Sequence, residues 1–231
     1  MQKIALVTGI SGGIGSAIAN ELTELGYFVV GLEKEISQNI GIEQIQFDLS
    51  DIKGIKEITE NLIKEFGVPE ILINNAGVYY AKNWEEESID EFQETLTVNV
   101  TAPFILTQTI GQKMIDNKIK GKIINITSVC AFAGGADIAY AASKAGLTAL
   151  TKSIAKEFAK YEIKVNAIAP GPVNTKMGNN IPQNRKEHYK ELIPLHRFAE
   201  PKEIANIVKF LIDENSSYIT GTTIHLNGGL Y

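Results

Sequence analysis

The sequence contains very little cysteine and no long apolar run. Its 231 residues include one cysteine, Cys130, which excludes an internal disulfide and fits a reducing compartment. No uninterrupted apolar stretch approaches the roughly 20 residues that a membrane span requires. We also expect no basic leader, since Met1 leads within three residues into a strand-like run. We therefore expect a soluble, cytoplasmic protein that does not bind a membrane.

Excess positive charge and candidate metal ligands are also scarce. The formal net charge of −5 leaves no basic footprint, which argues against nucleic acid as a partner. His188, His196 and His225 are scattered without ligand spacing, and no cysteine pair accompanies them, so we predict no metal site. For Cys130 we expect a buried, inert thiol. The chain length suits one large α/β domain over residues 1–231.

Strand-like and helical patterns alternate along the whole chain. Apolar, strand-like runs fall at 3–9, 27–33, 42–49, 70–77, 121–129, 163–171 and 222–229. Helical spacing falls at 14–25, 50–67, 88–117, 139–161 and 201–213. Seven strands interleaved with helices predict an α/β fold, a single doubly wound (Rossmann-type) domain with a seven-stranded parallel sheet.

Local signals refine this prediction. A serine or aspartate is expected to cap the helix at 50–67, with Ile52 on its apolar face. The helix that starts at Ser88 should break near Asn99 to Pro103. Only about ten residues join the second and third strands, which favours a loop there over a full crossover helix. Residues 172–200, with three prolines, are predicted to be rich in loops.

A glycine-rich turn, TGISGGIG, follows the first strand. In doubly wound sheets the ligand binds beyond the carboxyl ends of the strands. Glycine permits a tight turn and close backbone approach, and the next helix offers unpaired N–H groups, so a pyrophosphate fits there. The spacing is neither G-x-G-x-x-G nor a P-loop. The residues expected to contact the nucleotide here are Gly9, Ser11, Gly12, Gly13, Ile14 and Gly15.

Polar residues also follow the next three strands. Glu33, about 18 residues beyond the glycine turn, can accept hydrogen bonds from a ribose and would repel a 2′-phosphate. The alternative for Glu33 is a solvated surface side chain. The later strand ends offer an adenine contact and a small polar turn for the ribose or nicotinamide. These positions are Asp48 and Leu49, then Asn75, Ala76 and Gly77.

Tyr140 and Lys144 lie one helical turn apart, just beyond the end of the fifth strand at Ser128. An exposed Tyr–Lys pair is common on helices and would carry no function. The alternative is an activated phenol, because a cation one turn away favours the phenolate and lowers the tyrosine pKa. The position beside the predicted nucleotide site favours the second interpretation.

The complete set of motifs resembles the short-chain dehydrogenase/reductase family. TGISGGIG, NNAG, Asn99, Ser128, Tyr140-x-x-x-Lys144 and PGPVNT at 170–175 occur in the family's order, and the likeness runs from residue 3 to the C-terminus. The resemblance implies that Pro170, Gly171, Val173 and Thr175 contact the cofactor. It is nearest to the 3-oxoacyl-carrier-protein reductases in general sequence character.

The resemblance also implies a division of roles. Tyr140 would be the general acid and base, and Lys144 would lower its pKa and bind the nicotinamide ribose. Both would therefore contact the cofactor. Ser128 would donate a hydrogen bond to the substrate oxygen, although the usual spacing to the tyrosine fits Thr127 instead. Asn99 would hold a water that links Lys144 to solvent.

NAD(H) is expected in preference to NADP(H). Glu33 supplies the acidic residue, and Gly12 occupies a position where relatives that bind the phosphate often carry arginine or lysine. Lys34 points the other way. The chemistry expected is hydride transfer between this cofactor and a ketone or secondary alcohol, with an NADPH-dependent 3-oxoacyl-(acyl-carrier-protein) reductase as the alternative. A regulatory protein of the same fold and an epimerase or dehydratase were less favoured.

Other parts of the sequence suggest contacts with the substrate and with partner proteins. The long helices at 88–118 and 139–161 favour a homodimer or homotetramer. Residues 176–198 are expected to form a mobile lid over the substrate. Lys118, Lys120 and Lys122 could form part of a basic docking patch for an acyl-carrier protein near the site entrance. Trp84 is either an aromatic at the substrate's edge or a loop anchor.

Overall fold

The computed structural model describes residues 2–37, 41–135, 137–179 and 183–231, and its centre is a seven-stranded sheet. The strands are β1 (Ile4–Thr8), β2 (Phe28–Glu33), β3 (Glu43–Gln46), β4 (Ile71–Asn74), β5 (Lys122–Ile126), β6 (Lys164–Pro170) and β7 (Thr223–Leu226). Their order is β3-β2-β1-β4-β5-β6-β7, and every neighbouring pair is parallel. The predicted fold class is confirmed, and the strand order reverses between β1 and β4.

Helices cover both faces of this sheet. In the described ranges they are α1 (Gly13–Glu24), α2 (Ile55–Phe66), α3 (Ile89–Leu96), α4 (Ala102–Asp116), α5 (Cys130–Ala133), α6 (Ile138–Phe158), α7 (Lys176–Asn179), α8 (Gln183–Leu192) and α9 (Pro201–Ile212). A π-helix (Thr97–Thr101) joins α3 to α4, and 3-10 turns occupy Ala159–Tyr161 and Glu214–Ser216.

The sheet separates two apolar cores. Strand side chains alternate between faces, so Leu6 and Leu72 pack toward α2 and α4, while Val7 and Ile73 pack toward α1 and α9. All four side chains are completely buried. Each contributes about 1.5–3 kcal/mol relative to an exposed position. These two cores hold the strand ends, and therefore the residues that follow them, in fixed relative positions.

Two local predictions were wrong. The helix expected at 50–67 begins only at Ile55, and no side chain caps it. Asp48 accepts a hydrogen bond from Ser50 N (2.9 Å), and Asp51 accepts one from Gly54 N (3.2 Å), so polar side chains stabilise turns in place of a first helical turn. Ile52 consequently lies before the helix and is exposed.

The loop-rich prediction for 172–200 was wrong over α8. This helix carries the sequence QNRKEHYKEL, which has almost no apolar residues, so no apolar period revealed it. Ile193 and Phe198, just beyond it, are buried and attach this part of the chain to the core.

The break expected near Asn99 is a π-helix, in which the chain continues without interruption. Such wide turns occur frequently at functional sites. Between β2 and β3, residues 34–37, 41 and 42 contain no helix, as predicted, whereas 38–40 lie outside the described residues. Within the described ranges, none of the helices combines the length and apolar character that a membrane crossing needs.

Candidate active site

A cleft of about 420 Å³ runs along the carboxyl edge of the sheet. The turn after β1 and the ends of β2, β4, β5 and β6 form its walls. Every residue predicted to contact the cofactor lines it. These residues are Gly9, Ser11, Gly12, Gly13, Ile14, Gly15, Glu33, Asp48, Leu49, Asn75, Ala76, Gly77, Tyr140, Lys144, Pro170, Gly171, Val173 and Thr175. Positions scattered over 167 residues of sequence therefore share one surface.

The glycine turn leaves no room for side chains at its tightest point. Gly9 has φ +74°, a conformation that favours glycine. A Cβ on Gly15 would lie 2.0 Å from the Gly9 carbonyl oxygen, whereas one on Gly12 would lie 3.5 Å from the same atom. α1 then begins at Gly13, so its first N–H groups and its positive dipole end border the cleft. This cradle fits a dinucleotide pyrophosphate.

Thr8 and Asn75 join the ends of β1 and β4. The Thr8 hydroxyl oxygen accepts hydrogen bonds from Asn75 N (3.0 Å) and Ala76 N (2.9 Å). The Asn75 amide donates in return to Thr8 O (2.9 Å) and Gly9 O (3.0 Å). The Asn75 side chain therefore shapes the glycine turn, a role that its sequence position did not reveal.

Glu33 is buried, which excludes the solvated alternative. Its carboxylate accepts hydrogen bonds from Ser11 N (3.1 Å) and Ser11 Oγ (2.8 Å), so it lies against the glycine turn. Lys34 forms an ion pair with Asp48 (2.8 Å). The hydrogen bond from Lys34 lowers the pKa of Asp48, and the same contact raises the pKa of Lys34. Both groups are thus charged, and Asp48 offsets the positive charge of Lys34.

Lys144 is buried beneath Tyr140. Its Nζ donates a hydrogen bond to Ile126 O (2.9 Å) and lies 5.5 Å from the centroid of the tyrosine ring. Burial lowers the pKa of Lys144 to about 8, because the protein interior disfavours the ammonium. At neutral pH the side chain still carries its charge. Because Lys144 is buried, the pair is not an exposed surface contact.

The expectation that Lys144 lowers the pKa of Tyr140 was wrong for the protein by itself. Burial is the main cause of a raised tyrosine pKa. A hydrogen bond from Ser128 opposes the shift without reversing it. Desolvation of the phenolate outweighs a cation over the ring face, so the phenol keeps its proton at neutral pH.

Ser128 and Thr127 point to different partners. The Ser128 Oγ accepts a hydrogen bond from Cys130 N (3.2 Å), which leaves its own proton to donate. The Thr127 hydroxyl donates to Ile168 O (2.9 Å) on β6 and is buried there. Of the two, the geometry brings Ser128 to the tyrosine.

Asn99 lies behind the cleft wall and is completely buried. Its Oδ1 accepts a hydrogen bond from Val78 N (2.8 Å), and its Nδ2 donates to Val78 O (3.0 Å) and Ser143 Oγ (3.0 Å). Both N–H hydrogens are therefore used within the protein. The side chain ties the segment after β4 to α6, and the water link between Lys144 and solvent stays a prediction.

Several cleft residues could not be identified from the sequence motifs. Tyr79 packs edge-on against Tyr140, with ring centroids 5.0 Å apart, and Tyr189 and Leu230 also line the cleft. The strand-end rule that selected Gly77 would also have selected Tyr79, whereas α8 and the C-terminus gave no signal. Cys130 is half-buried and lines the cleft. Trp84 is 69% exposed, which is inconsistent with a loop anchor.

Comparison with known proteins agrees with this geometry. A family model described as enoyl-(acyl carrier protein) reductase matches residues 9–231. A 3-oxoacyl-(acyl-carrier-protein) reductase from Aquifex aeolicus is 39% identical over 99% of this chain and 97% of its own. Among solved structures, 4-hydroxyisoleucine dehydrogenase complexed with NADH superposes with a TM-score of 0.91 at 32% identity, covering 99% of this chain and 98% of that one.

A third similar protein has the other cofactor. This structure, from Beutenbergia cavernae, is described as a possible NAD(P)-dependent gluconate 5-dehydrogenase with NADP bound at low occupancy; its TM-score is 0.92 at 31% identity, over 99% of this chain and 96% of that one. Fold, cleft and relatives together define an NAD(P)-dependent oxidoreductase. The chain belongs to the short-chain dehydrogenase/reductase family.

The glycine turn yields a matched pair of substitutions. Gly15→Ala places a methyl group against the Gly9 carbonyl oxygen and should weaken NADH binding by at least about tenfold, with a lower melting temperature. In Gly12→Ala the added methyl group makes only an ordinary van der Waals contact, so NADH affinity and melting temperature should be nearly unchanged. Fluorescence titration and thermal melts measure the two effects. Equal affinities in the two variants would contradict the proposed cradle.

Proposed function

We propose that this enzyme transfers hydride between NAD(H) and a ketone or secondary alcohol, with Tyr140 as the general acid and base. The observation that carries the proposal is the meeting of Ser128, Tyr140 and Lys144 at one end of a cleft whose other end is the glycine turn. Bound nicotinamide supplies or accepts the hydride, and the protein has to manage one proton and one oxygen atom.

Each side chain has a role that its environment permits. Tyr140 keeps its proton at neutral pH because its pKa is raised, so it can donate that proton to a carbonyl oxygen. Ser128 donates a second hydrogen bond to the same oxygen and stabilises the charge that develops there. The Lys144 ammonium provides a positive charge beside the phenol as its proton leaves.

Tyr140→Phe should lower kcat by about 10²- to 10⁴-fold with little change in NADH affinity, because it removes only the transferred proton. Tyr79→Phe is the matched control, since it also deletes one phenol oxygen from the same cleft and should retain kcat within about threefold. Lys144→Ala should impair both turnover and NADH binding. Steady-state kinetics and NADH titration separate these outcomes, and near-normal turnover of Tyr140→Phe would refute the acid assignment.

The cofactor end of the cleft supports NAD(H) over NADP(H). Glu33 is a buried carboxylate beside the glycine turn, and a 2′-phosphate brought to it would meet like charge. Lys34, the residue whose positive charge would favour NADP(H), forms an ion pair with Asp48. A basic side chain is absent at Gly12, where there is space for one.

Wild-type enzyme should therefore show a higher kcat/KM with NADH than with NADPH. Glu33→Ala should lose about 10- to 100-fold with NADH and lose most of the discrimination, since a hydrogen bond to a charged group contributes about 1.5–3 kcal/mol. Ser11→Ala, which removes the Oγ contact but keeps the carboxylate, should retain the preference. A wild-type preference for NADPH would overturn this choice.

A 3-oxoacyl-(acyl-carrier-protein) reductase is the second candidate, because a relative with this name is 39% identical over nearly the whole chain. The proposed basic docking patch does not support it. Lys118, Lys120 and Lys122 precede or begin β5, at the amino edge of the sheet, about 15 Å from the cleft edge. Lys120 also pairs with Glu162, and Lys122 with Glu214. The expectation that these lysines lie near the site entrance was wrong.

A substrate panel distinguishes the two candidates. We expect turnover of simple secondary alcohols or ketones with NAD(H) and slow reduction of an acetoacetyl thioester. The assay compares kcat/KM for the panel and the thioester with both cofactors. Rapid NADPH-driven reduction of the thioester, with the alcohols inert, would establish the second candidate instead.

Three broader expectations remain predictions. Residues 176–198 are proposed as a lid, supported by Lys176 and Tyr189 in the cleft wall, although 180–182 lie outside the described residues. A homodimer or homotetramer is expected from the two long helices. A cytoplasmic location is expected from the single cysteine.

A further inference from the structure

Asp137 is a buried carboxylate behind Tyr140 that the proposed reaction does not use. It caps α6, and its Oδ1 accepts a hydrogen bond from the backbone N–H of Tyr140 itself (2.9 Å). Its Oδ2 accepts one from Ala81 N (3.1 Å). One carboxylate therefore joins the helix that carries Tyr140 to the segment that follows β4.

That segment packs against the tyrosine ring. Tyr79 contacts Tyr140 edge-on, and Asn99 holds the neighbouring Val78 through its backbone N–H and C=O. Ala81 has φ +59°, a region that residues other than glycine seldom adopt. Such a conformation persists only where surrounding contacts impose it, and the bond to Asp137 is one of them. Asn99 and Asp137 thus fix the two sides of Tyr79.

A second carboxyl group meets Asp137. Both oxygens of Glu87 accept from Ala139 N at 3.3 Å, and Ala139 precedes Tyr140 in the first turn of α6. The Glu87 and Asp137 carboxyl groups are also in contact with each other. Two carboxylates this close repel each other, so ionising both at once is unfavourable. Burial is the main cause of a raised pKa at Glu87, and the charge of Asp137 acts in the same direction.

We propose that Asp137 is a positioning residue for proton transfer and that Glu87 is its proton-carrying partner. Together they fix the first turn of α6 and the segment bearing Tyr79, and so orient the Tyr140 hydroxyl toward the substrate oxygen. This inference rests on the proposed role of Tyr140.

Other charged groups face this pair from the surrounding elements. Glu91 on α3 raises the pKa of Glu87, and Glu91 itself forms an ion pair with Lys82. Arg185 on α8 lowers the pKa of Tyr79, whereas Cys130 on α5 raises the pKa of Tyr79 and of Tyr140. The charge of Asp137 also raises the pKa of Tyr140. Removing that charge should therefore lower the tyrosine pKa.

The first test uses Asp137→Asn and Asp137→Ala. Asparagine still caps a helix but cannot accept from both N–H groups with good geometry, so it keeps one link, whereas alanine removes both. We expect kcat to fall about 10- to 100-fold in Asp137→Ala and less in Asp137→Asn, with NADH affinity within about twofold of wild type. In Asp137→Asn, the rise of kcat/KM for alcohol oxidation should move to lower pH.

Asp213→Ala is the matched control, because it removes a capping carboxylate from a short helical turn far from the cleft. It should change neither kcat nor the pH profile. Unchanged kcat together with an unchanged pH profile in Asp137→Asn would overturn the positioning role. Should Asp137→Ala fail to fold, Asp137→Asn alone decides the question through the pH profile.

The second test follows unfolding in urea across pH for Glu87→Gln. Glutamine keeps a donor for Asp137 and an acceptor for Ala139 N but cannot ionise. A carboxyl group with a raised folded-state pKa contributes stability at acid pH that is lost as the pH rises through that value. Glu87→Gln should therefore become more stable relative to wild type from acid to neutral pH. Glu86→Gln, which changes an exposed carboxylate, should show no such trend.

A difference between Glu87→Gln and wild type that stays constant with pH would overturn the proton-carrying role of Glu87. The experiments also distinguish a wrong role for Tyr140 from a wrong role for Asp137. If Tyr140→Phe retains turnover, the proposed function is wrong whatever Asp137 does. If Tyr140→Phe is inactive while the Asp137 variants match wild type in kcat and pH profile, only the positioning role is wrong.

Discussion

The site depends above all on the hydrogen bonds that join the ends of β1 and β4. The strand order reverses between these two strands, so their carboxyl ends diverge into a crevice that needs a fixed width. Four hydrogen bonds hold the two strand ends together. The Thr8 hydroxyl accepts from Asn75 N and Ala76 N, and the Asn75 side-chain amide donates to Thr8 O and Gly9 O. The tight approach of Gly15 to Gly9 and the place of Glu33 beside Ser11 both follow from the turn that these bonds hold.

Further polar contacts, made by Asn99 and Asp137, hold the segment after β4 in place at the end of the cleft that contains Tyr140. Asn99 sits in the π-helix, where the widened turn directs its amide to Val78 and Ser143 at once. Asp137 makes the corresponding link at Ala81. The Asn99, Ser143 and Asp137 side chains are buried, so losing one of their partners would leave an unsatisfied polar group.

Sequence patterns predicted the parts of the molecule that obey simple periods. Strand runs, long helices and the residues at strand ends follow from apolar spacing and from one topological rule. The residues that line the cofactor cleft were therefore predictable from the sequence. The errors arose where local polar contacts decide the structure. Asp48 and Asp51 delay the start of α2, and α8 has no apolar period to detect. The Tyr140 pKa shift was also missed, since burial is a property of the whole fold.

The buried ammonium of Lys144 links the cleft to the stability of the entire chain. Its pKa is about 8 in the folded protein against an ordinary value of 10.5, so between these values the unfolded chain binds a proton that the folded chain does not. The free energy of unfolding therefore gains a contribution that increases with pH across this window. Under neutral conditions the fold holds a charge that its interior disfavours. The enzyme is in this respect less stable in its working form than in mildly alkaline solution.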